Sequence, residues 1–213
     1  MNKLSILLCA HCPNANYDNL LVKAINSIYE QSYKDYKLYI VLDECWEGTL
    51  SKVKDIITLD TEIIIRNKKE GLARAKNEGL KRINTEYVAF LDADDEYLPG
   101  KLEKQMNFIE NNNVDFLGTL ATIKNKGQIY PSGFFVGQYE THEQIYNRIF
   151  QENIMTHGSM LIRKKALDEL GGYHDVRGME DWDLWQRAIS SGYKFYQLQE
   201  RLYMLTIGTS VER

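Results

Sequence analysis

The stretch Tyr87-Val88-Ala89-Phe90-Leu91-Asp92-Ala93-Asp94-Asp95 is an apolar run that ends in three closely spaced acids. A short apolar run without helical spacing reads as a buried strand, which places the acids at its carboxyl end. Like charges this close oppose one another's ionisation unless a cation shares the site. Hard divalent cations such as Mg²⁺ take carboxylate oxygens and also bridge phosphates. The competing reading is an acidic turn that caps the next helix, since aspartate favours turns and N-caps. Three acids behind a wholly apolar strand favour the cation.

The residues before this strand repeat its pattern. Leu4 to Leu8, Tyr36 to Leu42 and Glu62 to Ile65 read as further strands. Between them Leu20, Leu21, Ala24, Ile25 and Ile28, and then Leu72, Ala75, Leu80 and Ile83, recur at helical spacing. Strands that alternate with helices imply βαβ units, a mostly parallel sheet and right-handed crossovers. In such sheets ligands bind outside the carboxyl ends of the strands. Asp43 falls at such an end, as do Asp92, Asp94 and Asp95, and this convergence predicts one shared site.

The second half is less regular. Pro99 is expected at the first position of a helix reaching about Asn111. A strand is expected over 114–123, a turn-rich segment over 127–137, and a helix and loop covering one side of the site over 138–155. A strand over 159–162 and a helix over 164–170 ended by Gly171-Gly172 follow, then a last helix from about Glu180. No repeat or linker interrupts the chain. One α/β domain is predicted, with about 1–98 as a nucleotide-binding half and about 99–213 as the remainder.

Composition narrows the chemistry. The 213 residues are 44% hydrophobic and 26% charged with a net charge of -4, an ordinary globular balance without the basic excess expected for nucleic acid. No stretch approaches the ~18 apolar residues of a membrane span, and the amino terminus is too short for a signal peptide. Three cysteines form a sparse, odd set that suits a reducing cytoplasmic setting. The chain is also compatible with being one module of a larger multidomain protein.

Other motifs carry weaker signals. Glu180-Asp181 precedes the amphipathic pattern Trp182, Leu184, Trp185, Ala188 and Ile189. Acids in a first turn complement the helix dipole. Alternatively, Asp181 is a general base tuned by its neighbours. Cys9-Ala10-His11-Cys12 has redox spacing, but no second ligand pair for zinc accompanies it. Arg66 to Lys69 is a basic stretch in which Lys68 and Lys69 read as solvated, whereas Arg74, Lys76 or Asn77 could face a nucleotide. His157 is a lone histidine before a strand, a candidate metal ligand or a structural residue.

Taken in order, these residues resemble the family 2 glycosyltransferases from about Lys3 to Val211. Leu4-Ser5-Ile6-Leu7-Leu8 is similar to the family's first strand, and Gln31-Ser32-Tyr33-Lys34-Asp35-Tyr36 resembles its Q-T/S-Y-x-D-F/Y element. Gly71-Leu72-Ala73-Arg74-Ala75-Lys76-Asn77-Glu78-Gly79-Leu80 resembles G-L-x-x-A-R-N-x-G-L. Phe90 to Asp95 is similar to the family's D-x-D motif. Leu170-Gly171-Gly172-Tyr173 with Glu180-Asp181-Trp182-Asp183-Leu184-Trp185 resembles its G-G-F/Y … E-D-x-x-L-W block.

The resemblance implies a GT-A fold and transfer of a sugar, with inversion, from a nucleotide diphosphate sugar to a hydroxyl. UDP-sugar is the expected donor, a glycan, glycolipid or glycoprotein the acceptor, and Mn²⁺ or Mg²⁺ the cofactor. It further implies that Cys9, Ala10 and His11 line the base pocket and that Asp43 accepts the base's ring N–H. Arg74, Asn77, Asp92, Ala93 and Asp94 would contact the nucleotide sugar. Asp94 and Asp95 would hold metal and ribose, with His157 a further metal ligand, and the triplet can be registered on the motif in two ways. Asp181 would be the catalytic base, supported by Glu180.

Two departures stand out. Ala10-His11-Cys12 replaces the usual Thr/Ser-Tyr-Asn, though His11 can still stack on a base. Tyr203-Met204-Leu205-Thr206 replaces a terminal Y-R-x-H. A Q-x-x-R-W element is absent, which argues against a processive synthase. The rival readings are a non-catalytic sugar-nucleotide-binding module and a nucleotidyltransferase, which has no need of Glu180-Asp181.

Overall fold

Four apolar strands stack in parallel because each is followed by a chain segment long enough to recross the sheet. In the computed structural model, which describes residues 2–131, 139–176 and 178–208, these strands are β1 (Leu4–Ala10), β2 (Tyr36–Asp43), β3 (Thr61–Arg66) and β4 (Tyr87–Asp92). They lie in the order β3-β2-β1-β4, all parallel. β1 is paired on both sides and covered on both faces, so Leu4, Ile6, Leu7 and Leu8 are all buried. Successive side chains point to opposite faces. Leu4, Ile6 and Leu8 join one core with Leu38 and Ile40, while Leu7 joins Tyr39, Val41 and Phe90 in the other.

The crossovers are α1 (Ala15–Tyr29), α2 (Glu47–Lys54) and α3 (Leu72–Leu80). Asn14 caps α1 by accepting from the Asn16 amide at 3.0 Å. Sequence reading missed α2, because Gly48 interrupts it and only Thr49 and Val53 are buried. Tertiary contacts hold it instead. The buried Asp18 carboxylate accepts from Trp46 Nε1 at 2.9 Å and from the Thr49 hydroxyl at 2.7 Å.

The second half extends the same sheet with mixed direction. It comprises β5 (Glu96–Tyr97), α4 (Lys101–Asn111), β6 (Phe116–Asn125), β7 (Gln128–Pro131), α5 (His142–Ile149), β8 (Leu161–Arg163), α6 (Lys164–Glu169), α7 (Glu180–Ser190) and β9 (Phe195–Ile207). β8 runs antiparallel to both β4 and β6. β9 lies parallel to β6 and antiparallel to β5. One sheet therefore crosses the boundary near residue 98.

Three local expectations change. Pro99 does not open α4, because Gly100 takes a left-handed φ of 80° as its N-cap and Lys101 begins the helix. The strand expected over 159–162 splits into a 3₁₀ turn, His157–Ser159, and β8. The turn-rich 127–137 begins as a hairpin, with β7 pairing β6. Residues 132–138 of that segment lie outside the described residues.

Candidate active site

Sheet register brings the strand ends together. Cys9 stands beside Val41 on one side and Asp92 on the other, and Asp43 beside Arg66. The ends of β1, β2 and β4 thus present Ala10, His11, Asp43 and Asp92 along one edge. His11 Nδ1 lies 2.8 Å from the Asp43 carbonyl oxygen, which fixes the ring beside the end of β2.

Asp43 is 5% exposed. Burial pushes its carboxyl above the usual range, opposed by Arg66 and His11. Arg66 Nη1 lies 3.1 Å from Asp43 Oδ1. The angles do not make this a hydrogen bond, so both buried atoms keep an unused donor or acceptor. Buried polar groups left this way ask for a further partner. Arg66, which the sequence shows only as the start of a basic stretch, thus joins the strand-end cluster. The signal was its place as the last residue of β3, in register with Asp43.

The acidic end of β4 divides its labour. Asp92, Ala93 and Asp94 are half-buried, but Asp95 is fully buried. Asp95 Oδ2 accepts from the Tyr203 hydroxyl at 2.7 Å and Oδ1 from the Thr206 amide at 2.6 Å. Burial, then the charges of Asp92 and Asp94, hold the Asp95 carboxyl well above the usual carboxylate range. Asp95, expected to ligate metal, thus has both oxygens committed to β9. The segment Tyr203-Met204-Leu205-Thr206 supplies those two donors, the Tyr203 hydroxyl and the Thr206 backbone amide.

Among the described residues no group of three or more His, Cys, Asp and Glu side chains is arranged to cage a metal ion. Mg²⁺-type ions do not require one, because they bind through one or two carboxylates plus substrate phosphates. The crowded charges of Asp92 and Asp94 around Asp95 fit such an ion.

Glu180 and Asp181 open α7. Asp181 is half-buried, and its Oδ2 accepts from Asn153 Nδ2 at 3.0 Å while Oδ1 accepts from the Trp182 amide at 2.7 Å. Asn153 lies in the loop after α5, so that segment does reach one side of the site. Glu180 is buried and pairs with Lys76 Nζ at 3.1 Å.

Three expected contacts turn inward or outward instead. Asn77 donates to the Tyr173 carbonyl at 2.7 Å and accepts from the Tyr173 amide at 2.9 Å, so its amide clamps the Gly-Gly-Tyr loop rather than facing a nucleotide. Arg74 is exposed and meets Glu70 and Asp175 at 3.4 and 3.5 Å, which leaves it at the rim. His157 is buried beside the acidic strand end. Its Nε2 is 2.8 Å from the Tyr173 hydroxyl, its Nδ1 3.8 Å from Asp92 Oδ1, and its ring packs on Phe90 and Trp185.

The C-x-x-C motif does not form a thiol pair. All three cysteines are free, and Cys12 instead meets Cys45, whose Sγ accepts from the Cys12 amide at 3.3 Å. Burial pushes the Cys9 thiol up to about 12, opposite to what a redox cysteine needs.

Comparison with known proteins supplies a second line. A family model described as Glycosyl transferase family 2 matches residues 9–171. The protein named "Uncharacterized glycosyltransferase MJ1057", from Methanocaldococcus jannaschii, is 32% identical over 195 residues; the match covers 87% of this chain and 65% of the relative. The chain thus spans about two thirds of that relative. Among solved structures, S. aureus TarS 1-349 in complex with UDP-GlcNAc superposes with a TM-score of 0.77 at 18% identity, over 98% of this chain and 60% of that one. The mannosyltransferase PcManGT from Pyrobaculum calidifontis, in complex with GDP-Man and Mn²⁺, gives 0.73 at 17%, over 98% and 58%.

Proposed function

Because the chain belongs to glycosyl transferase family 2 and has the GT-A fold, we propose that it transfers a sugar from a nucleotide diphosphate sugar to an acceptor hydroxyl. The observation that carries this reading is the gathering of Asp43, Asp92 and Asp94 at one sheet edge, linked through His157, Tyr173 and Lys76 to the helix that carries Asp181.

Asp43 and Arg66 read the base. An acceptor beside a donor complements a ring N–H beside a carbonyl, an edge that uracil, thymine and guanine present and cytosine and adenine do not. This complementarity supports a UDP-, dTDP- or GDP-sugar, with UDP the first choice. Ala10 and His11 close the pocket over the base.

Asp94, with Asp92 beside it, would hold a divalent cation, Mn²⁺ or Mg²⁺, and Asp95 anchors that turn to β9. When bound, such an ion neutralises the departing diphosphate as a Lewis acid. Asp181 takes the proton from the acceptor hydroxyl, which attacks the anomeric carbon opposite the leaving group. One displacement with a carboxylate base inverts that carbon. Asn153 holds the receiving oxygen. Glycans, glycolipids and glycoproteins all offer a suitable hydroxyl. Three free thiols support a cytoplasmic setting; among the described residues no helix is long and apolar enough to cross a membrane.

The test measures nucleotide release from UDP-, GDP- and dTDP-sugars with Mn²⁺, with EDTA, and with metal restored. Release that needs acceptor and metal supports the reading. Full activity in EDTA sinks the cation. Nucleotide affinity without turnover for any donor and acceptor would favour a non-catalytic binding module, and pyrophosphate release from a nucleoside triphosphate a nucleotidyltransferase.

A further inference from the structure

Lys76 is 3% exposed, a burial that lysine almost never adopts without a partner. Its position on α3, with Ala73 and Leu80 on the same buried face, aims it across the domain at α7. There its Nζ lies 3.1 Å from Glu180 Oε1, 104 residues away in sequence. The ammonium also sits 5.0 Å from the centre of the Tyr173 ring. Tyr173 in turn bonds His157, which points its buried Nδ1 at Asp92. The donor-side acid and the helix of the base are therefore joined by one chain of contacts, from half-buried Asp92 through buried His157, Tyr173 and Lys76 to Glu180.

A buried ion pair is poor evidence for stability, because desolvating both charges offsets their attraction. Breaking it from one side is a different matter, since it strands the other charge. Glu180 is the residue immediately before Asp181. If Lys76 is lost, Glu180 is left buried without the cation it meets at 3.1 Å, and relieving that shifts the first turn of α7. Asp181 moves with it. Displacements of about 1 Å at a reacting group cost roughly 10²-fold in rate.

We propose that Lys76 is a positioning residue for glycosyl transfer, acting through Glu180 to fix Asp181 and making no contact with the donor. The proposal rests on the reading of Asp181 as the base. It corrects the sequence-based expectation that Lys76 could face the nucleotide. The family motif G-L-x-x-A-R-N-x-G-L carries arginine where this chain has Lys76, so a second cation suits the same role.

The experiment compares K76M, K76R, K76M/E180Q and D181N for kcat, KM of the donor, nucleotide Kd and melting temperature. The expected result is a fall in kcat of about 10- to 100-fold in K76M, with nucleotide Kd changed less than about threefold. K76R should regain most of the lost kcat. Wild-type kcat in K76M overturns the proposal, and so does a loss confined to KM and Kd, which would make Lys76 a donor contact. If K76M fails to fold, K76M/E180Q, which strands neither charge, reports in its place: recovery of folding with nucleotide Kd within about threefold of the wild type beside an active K76R supports the role, and a loss confined to KM and Kd overturns it. Turnover in D181N at the wild-type rate instead removes the base assignment, and the inference falls with it. K76M impaired beside a dead D181N leaves both standing.

Discussion

The Asp95 carboxylate accepts the hydroxyl of Tyr203 at 2.7 Å, across 108 residues of sequence and in the complete absence of solvent exposure for either side chain. This contact ties the acidic end of β4 to the last strand. Tyr203→Phe removes one of the two donors that satisfy a buried carboxylate, and it should cost about 1–3 kcal/mol. Urea denaturation with an unchanged m-value measures it. Unaltered stability would mean that Asp95 finds another partner and is not an anchor.

Asp181→Asn should nearly abolish transfer while leaving nucleotide binding largely intact. Asn153→Ala, which deletes the 3.0 Å donor to Asp181 Oδ2, should lower kcat by about tenfold through looser positioning. Steady-state kinetics beside a nucleotide titration separates the two effects. Loss of binding in Asp181→Asn would show that the base has been assigned to the wrong residue.

Gly172 has a φ of 72°, and a Cβ there would stand 2.4 Å from Asn77 Oδ1. Gly171 has a φ of 74° with nothing within 4 Å of its Cβ. Gly172→Ala should therefore destabilise by more than the ~1 kcal/mol expected of Gly171→Ala, because it adds a clash with the Asn77 clamp to backbone strain. Thermal melts of the two variants check the order.

Lys101 is completely buried, with Gln105 Oε1 at 2.7 Å and the Tyr97 ring at 4.1 Å as its neighbours. Burial holds its ammonium well below the ordinary lysine range. An unfolded lysine keeps its proton to about pH 10.4, so across the interval between the folded and unfolded values the unfolded chain binds more protons and stability rises with pH. The cost is full below the folded value and fades as pH climbs to the unfolded one. Lys101→Met should remove this slope and raise stability most at the low end. Urea midpoints at several pH values between 7 and 10 decide it; parallel curves for the two proteins would refute the account.

Cys12 lowers the pKa of Cys45 by hydrogen bonding, while burial pushes Cys9 up to about 12. Iodoacetamide should accordingly modify Cys45 before Cys9 at pH 7–9, as read by peptide mass spectrometry. Preferential alkylation of Cys9 would revive a redox role for the C-x-x-C motif.

The parallel half of the fold was legible because its signals are local. Apolar runs such as Leu4 to Leu8 and the helical spacing of Leu21, Ala24, Ile25 and Ile28 each report burial of a neighbouring face. β5, α2 and the 3₁₀ turn at His157–Ser159 were not legible. β5 and the 3₁₀ turn are too short to have a period, Gly48 interrupts that of α2, and α2 is held by partners far away, as Asp18 holds Trp46 and Thr49.

Residue order alone establishes the parallel strands, the acidic ends at Asp43 and Asp92 to Asp95, and the helix opening on Glu180-Asp181. Those features follow from spacing within a few turns or one strand. Long-range packing settles which of these polar groups the fold itself consumes. Sheet register sets Arg66 beside Asp43, β9 consumes Asp95, the loop at Tyr173 consumes Asn77, and α7 claims Lys76. A side chain's chemistry is written in the sequence, but its free valence depends on which distant donors and acceptors the packed chain brings within hydrogen-bond reach.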